Sequence, residues 1–234
     1  MTGRLDAVGA RLLRLVPALR RSIDQVPAYA SLWESANARA LELRAPLWVV
    51  LGDSTAQAIG VAAGIEHGYV GRVQHLLEQR DGAPWRVVNL SRSGAVLADV
   101  LREQLPSLSA LPTPALVTCV VGGNDLRRTP LPALLDDVRS VVKALPEGAL
   151  VASMPRGLRE TKAAAANALL RDLATARGLP VADLWSHTGP PWRGKYADGL
   201  HPNAAGLTDW VAALAEALAL PGELDPPTVA PRRR

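Results

Sequence analysis

The sequence predicts an α/β fold: a three-layer α/β/α sandwich built on a five-stranded parallel sheet, with a helical extension ahead of it. Two observations carry the prediction. From Leu47 to Leu220, short apolar and β-branched runs of strand length alternate with longer amphipathic stretches, and the connections are long enough for right-handed crossovers between parallel strands. The chain has 234 residues, 48% of them hydrophobic, which suits one such domain with an appendage rather than two domains. The expected organisation is a helical extension over 1–45, the α/β domain over 46–220 and a tail over 221–234.

The elements follow in order. Arg4 to Arg21 carries Leu5, Val8, Leu12, Leu15 and Leu19 at three- and four-residue steps, the pattern of an amphipathic helix that Pro17 should kink or end. Its stripe can dock on the protein's own core or lie on an anionic membrane, and docking is the commoner fate. A second helix is expected over Ala28 to Leu43, after Pro27, with Trp33 as anchor. The first strand is the run ending Val49-Val50-Leu51-Gly52, and Asp53-Ser54-Thr55 reads as a turn opening a helix. Later strands are expected at Trp85 to Leu90, Ala115 to Val121, Leu150 to Met154 and Val181 to Trp185. Helices are expected at Val70 to Gln79, Ala95 to Leu105, Pro132 to Leu145, Glu160 to Arg177 and Asn203 to Leu220. Pro221 to Arg234 reads as a disordered tail.

Four short blocks fall at strand ends or in the last loop. Ser54 follows the first strand, where open parallel sheets keep their chemistry; a lone Ser there is more often a helix N-cap. Asp198 and His201 stand three apart in a loop bounded by glycine and proline, so the carboxylate can reach its own histidine. A serine nucleophile needs such a base, and the base needs such a carboxylate. Asn89-Leu90-Ser91-Arg92-Ser93-Gly94 and Gly122-Gly123-Asn124-Asp125 each follow an apolar run and offer small or amide donors to a developing oxyanion.

In these four blocks, in this order, the sequence resembles the SGNH hydrolases, also called GDSL-type esterases and lipases. The resemblance covers about Leu47 to Leu218 and implies a flavodoxin-like sheet and a serine ester hydrolase without cofactor. It implies Ser54 as nucleophile, His201 as base and Asp198 as its orienting partner, with the N–H groups of Ser54 and Gly94 and the amide of Asn124 forming the oxyanion hole. The expected substrate is a small-molecule carboxylic ester of small or medium acyl chain. An acyltransferase, a thioesterase or lysophospholipase using the same acyl-enzyme, or a membrane-recruited interaction protein, are the alternatives. Asp53 beside the nucleophile, Arg127 after the Asn124 block, and Trp185 and Trp192 ahead of the Asp-His pair are further candidates for the substrate pocket. Asp53 equally suits holding its own turn, and Arg193 and Lys195 raise the possibility of an anionic substrate.

Other classes lose ground. Neither G-x-G-x-x-G nor a P-loop occurs, and Ser54 does not sit in a G-x-S-x-G elbow. The formal charge is +4, but Arg232-Arg233-Arg234 contributes three of the positive charges and no basic stripe alternates with aromatics, so no nucleic-acid partner is expected. His67, His75 and His187 show no metal-ligand spacing, so no metal is expected. Cys119, the only cysteine, excludes an internal disulfide and reads as strand core. Arginines interrupt every apolar stretch near the N-terminus, no run reaches membrane-spanning length, and a cytoplasmic location is the default.

Overall fold

The structure, a computed structural model, describes residues 17–221. Arg4 to Val16 of the first expected helix and the expected tail from Gly222 onward lie outside the described residues. In chain order the elements are α1 (Pro17–Glu42), β1 (Leu47–Gly52), a 3-10 turn (Ile65–His67), α2 (Tyr69–Asp81), β2 (Arg86–Asn89) and α3 (97–109). Then come β3 (Leu116–Val120), α4 (Gly123–Arg128), α5 (Leu131–Ala144), β4 (Leu150–Ala152), α6 (Glu160–Ala176), β5 (Val181–Ala182), α7 (Leu184–His187) and α8 (Ala204–Ala217). The strands form one five-stranded parallel sheet in the order β2-β1-β3-β4-β5.

Both faces of this sheet are covered because β1, an interior strand, is apolar at every position. Side chains alternate across a strand, so Trp48 and Val50 of β1 pack toward α1, α2 and α8, while Leu47, Val49 and Leu51 pack toward α3, α5 and α6. The one polar group this costs is met internally: the Trp48 indole N–H donates to Thr118 Oγ1 at 3.0 Å. Cys119 of β3 is buried in the same sheet, as its surroundings in the sequence imply, and burial, with the Asp53 charge nearby, pushes its thiol up to about 12.

Pro27 does not separate two helices, contrary to expectation; α1 runs through it. Its ring lies on the solvent side, and the carbonyl it leaves without a helical partner belongs to exposed Ile23, where water can serve it. The opposite stripe, Ser22, Tyr29, Trp33 and Ala40, is buried against the domain. Two strands also end sooner than their apolar runs. The run after Ala182 is interrupted by Asp183, whose carboxylate accepts the Ser186 N–H at 3.3 Å and its hydroxyl at 2.7 Å, capping α7. Beyond Ala152, the Met154 N–H donates to Asn167 Oδ1 at 2.7 Å and Asn167 Nδ2 donates to the Met154 carbonyl at 3.0 Å.

The same device recurs at two more strand ends. Gln104 receives the Gly52 N–H at 2.8 Å and returns a bond to the Gly52 carbonyl at 2.9 Å. Asn37 does likewise for Asn89, at 2.8 and 2.9 Å. A side-chain amide carries one acceptor and two donors, so it can stand in for a neighbouring strand's peptide group. Helices α3, α1 and α6 thus each anchor the carboxyl end of a strand, where the site lies.

Candidate active site

No helix starts at Ser54. The chain after β1 passes through a series of turns in which the Ala58 N–H bonds the Thr55 carbonyl at 3.1 Å and the Ile59 N–H reaches back five residues to Ser54 at 3.0 Å. Ala58 at φ 67° and Gly60 at φ 98° break helical propagation, and the first long helix waits until Tyr69. Ser54 is therefore not an N-cap. Asp53 holds the turn as one reading of the sequence had it: its Oδ1 accepts the Thr55 N–H at 2.9 Å. Burial raises the Asp53 pKa against the opposing pull of Thr55 and His201.

The second half of the site comes from a tight hairpin. The Ala197 N–H bonds the His201 carbonyl at 2.8 Å, the Asn203 N–H bonds the Lys195 carbonyl at 3.0 Å, and Gly199 turns the tip at φ 81°. Inside it Asp198 Oδ1 accepts the N–H groups of Leu200 and His201 at 3.0 and 2.8 Å, which bends the chain so that the His201 ring returns to the same carboxylate. His201 Nδ1 is 2.7 Å from Asp198 Oδ2, and its Nε2 is 3.2 Å from Ser54 Oγ. With Nδ1 carrying the proton toward the carboxylate, Nε2 is left as an acceptor facing the serine hydroxyl. Burial alone raises the Asp198 pKa, but donors from His201, Ser22 and Leu200 outweigh it and hold the carboxyl at about 2.

The serine turn and the histidine hairpin meet backbone to backbone at Gly60. A Cβ there would stand 2.7 Å from the Pro202 carbonyl oxygen and 2.9 Å from His201 Cβ, so only glycine permits the approach. On the other side, Gln57 ties the serine turn to the Asn89 block. Its Nε2 donates to the Ser91 carbonyl at 3.0 Å, and its Oε1 accepts the N–H and hydroxyl of Ser93 at 3.1 and 2.6 Å. Asn89 adds a bond from Nδ2 to the Ala56 carbonyl at 2.9 Å.

Ser54, Asn124 and His201 open into one cavity of about 500 Å³, together with Asp53 and Trp192. One N–H of the Asn124 amide donates to the Ala95 carbonyl at 3.0 Å, which orients the group and leaves its second N–H. Gly94 stands in the adjoining turn at φ 79°, its carbonyl receiving Arg128 at 3.0 Å, and is not among the cavity's walls. Arg127 is exposed in the last turn of α4 and lies outside the cavity. Trp185 is also outside: the early end of β5 places it on α7, packed against the core, with the Arg156 guanidinium 5.1 Å from its ring centre. Of the basic pair ahead of Asp198, Arg193 borders the cavity, while Lys195 pairs with Asp209 at 2.6 Å. Gln57, Gln104 and Ser22 escaped the sequence reading. The available signal was a polar residue on an otherwise apolar helix stripe, which marks Ser22 ahead of Tyr29 and Trp33.

The profile of the GDSL-like lipase/acylhydrolase family matches residues 50–207. The chain belongs to that family. Esterase TesA of Pseudomonas aeruginosa is 40% identical to it over 105 residues, 44% of this chain and 50% of that protein. The chain thus spans about half the length of this curated relative. Among solved structures, a crystal structure of TesA aligns with 28% identity and a TM-score of 0.61, covering 74% of this chain and 97% of that one. The acetylxylan esterase Axe2 of Geobacillus stearothermophilus aligns with 20% identity and a TM-score of 0.58, covering 74% and 94%; at that identity the likeness is one of fold. The family match ends before most of α8 and leaves α1 outside.

Proposed function

We propose that this protein is a serine esterase that hydrolyses carboxylic esters of small or medium acyl chain through an acyl-serine intermediate. The reading rests above all on the continuous chain Ser54 Oγ, His201 Nε2, His201 Nδ1 and Asp198 Oδ2, with gaps of 3.2 and 2.7 Å. Ser54 Oγ attacks the ester carbonyl carbon as its proton passes to His201 Nε2, and Asp198 stabilises the imidazolium. The tetrahedral oxyanion takes hydrogen bonds from the Ser54 N–H and the second N–H of Asn124. Collapse expels the alcohol, which leaves with the proton from His201. Water then adds to the acyl-Ser54 carbonyl and gives its proton to His201; the second collapse releases the acid and returns the proton to Ser54.

Val121, Leu126, Leu158, Leu184, Trp192 and Trp210 supply apolar surface for an acyl chain around Ser54, and Arg156 and Arg193 add cationic groups to the same cavity. The experiment is turnover of a chromogenic short-chain ester by wild type and Ser54→Ala. The variant is expected to keep its fold and lose turnover by several orders of magnitude; full turnover in pure Ser54→Ala protein would refute the assignment. Adding an acceptor alcohol to the same assay separates hydrolysis from acyl transfer, since both pass through acyl-Ser54 and differ only in what enters second.

A further inference from the structure

Helix α1 lies outside the region matched by the family profile, yet it is bonded into the site. The segment that follows Ser54 turns too irregularly to satisfy all its own backbone groups, with Ala58 at φ 67° and Gly60 at φ 98°. Gln25 of α1 meets two of them. Its Oε1 accepts the Gly60 N–H at 2.9 Å and its Nε2 donates to the Val61 carbonyl at 2.7 Å. The Tyr29 hydroxyl, one turn further along the same stripe, donates to that carbonyl at 2.6 Å.

The two residues Ile59 and Gly60 join the halves of the site. On one side the Ile59 N–H bonds the Ser54 carbonyl at 3.0 Å. On the other, Gly60 meets the histidine hairpin so closely that a Cβ would stand 2.9 Å from His201 Cβ and 2.7 Å from the Pro202 carbonyl oxygen. No side chain intervenes, so a shift of Gly60 moves the seat of His201 directly. Glycine is also the residue with the most backbone freedom to lose, and the Gln25 amide tethers its N–H from outside both halves.

We propose that Gln25 is a positioning residue, whose amide fixes Gly60 and through it the spacing of the His201 ring from Ser54. The inference rests on the catalytic roles given above to Ser54 and His201. Without the amide, the Val61 carbonyl keeps its bond from Tyr29, but the Gly60 N–H loses its acceptor. A gap of 3.2 Å between Ser54 Oγ and His201 Nε2 leaves little room for drift before proton transfer suffers.

The test measures kcat and KM for Gln25→Met, which fills nearly the same volume without hydrogen bonds, in the wild-type and the His201→Ala background, with circular dichroism and Tm as fold checks. Gln25→Met is expected to lower kcat about three- to tenfold at unchanged KM, the range of one hydrogen bond. On the residual turnover of His201→Ala the same change should cost nothing further, because its effect passes through the imidazole. Ala40→Gly, which weakens α1 about four turns away, should lower Tm and leave kcat unchanged. Wild-type kcat in folded Gln25→Met, an equal loss in both backgrounds, or the same kcat loss in Ala40→Gly would overturn the inference. If Gln25→Met does not fold, Tyr29→Phe, which removes the other side-chain bond to the Val61 carbonyl, should give a smaller loss of kcat, and wild-type kcat there would overturn it. Activity surviving Ser54→Ala would instead remove the underlying reading; activity lost there but intact in Gln25→Met removes this inference alone.

Discussion

Two carboxylates lie close to His201, and their partners decide their parts. Asp53 spends its Oδ1 on the Thr55 N–H, and burial pushes its pKa up; Asp198 gives Oδ2 to His201 Nδ1 and is held at about 2. An acid held that low stays ionised throughout the range in which an imidazole titrates, so it serves as a fixed counter-charge. Asn124 works at the same scale. One of its amide N–H groups is committed to the Ala95 carbonyl, which fixes the amide and leaves the other N–H for the oxyanion in the proposed mechanism. Asn124→Ala is expected to lower kcat by about a hundredfold or more with little change in KM, because the lost donor acts on charge that develops only in the transition state. Steady-state kinetics on the purified variant checks this; a rise in KM at constant kcat would assign Asn124 to ground-state binding instead.

At the scale of elements, the strand ends are held by amides projecting from helices. Gln104 lies in the π-helical turn Val100–Gln104 of α3, just ahead of Pro106, and the wider turn carries its side chain inward to Gly52. Gln104→Ala leaves the buried Gly52 N–H without its acceptor next to Asp53 and Ser54, while the Gly52 carbonyl keeps the Arg92 N–H at 3.3 Å. It is expected to destabilise the fold by about 1–3 kcal/mol in urea denaturation and to lower kcat, whereas an exposed substitution such as Ser109→Ala should do neither. The joint of β3 and α4 holds a second stress. Asp125 is fully buried; burial lifts its pKa to about 6, although the Leu97 N–H and the Thr129 hydroxyl bond it at 3.0 and 2.9 Å. Its folded pKa lies above its unfolded one, so this group's contribution is most favourable below about pH 4 and declines as pH rises from about 4 through about 6, by on the order of 3 kcal/mol. Asp125→Asn keeps an acceptor for Leu97 and does not titrate, so its stability relative to wild type should rise between about pH 4 and 6. Denaturation midpoints of the two proteins across that range provide the measurement, and a constant difference would contradict it.

At the scale of the whole molecule, the cavity belongs to no one element. Ser54 comes from the end of β1, Asn124 from α4, Trp192 from the loop after α7 and Trp210 from α8. Trp192 is 39% exposed, its indole lying 3.3–3.4 Å from where a Gly157 side chain would begin. A large flat wall half open to solvent gains more from a long acyl chain than from acetate, at about 25 cal/mol per Å² of apolar surface covered. Trp192→Ala is expected to lower kcat/KM severalfold for a medium-chain ester while leaving the acetate ester within about twofold. Equal losses along a series of acyl lengths would make this residue scaffolding. The described part of α1 has its apolar stripe committed to the domain, so a membrane role for that stripe would require undocking Tyr29 and Trp33.

The alternation of apolar runs and amphipathic stretches determined the layers, since a strand apolar at every position has to be buried on both faces and long connections force parallel pairing. The four blocks likewise marked Ser54, Asn124, Asp198 and His201, because glycine, asparagine and an Asp-x-x-His spacing leave local imprints. What the sequence read differently depended on partners far along the chain. Val181 to Trp185 reads as strand until the Asp183 cap ends it, which carries Trp185 away from the cavity. Pro27 reads as a helix boundary, yet packing of the stripe on its opposite side keeps α1 continuous. Ser22, Asn37, Gln57 and Gln104 are ordinary polar residues by composition. Only tertiary structure shows that Asn37, Gln57 and Gln104 each meet a backbone group across at least 34 residues of chain, as Gln57 does with Ser91, and such a pairing leaves no periodicity in the sequence because its geometry exists only once the layers have closed.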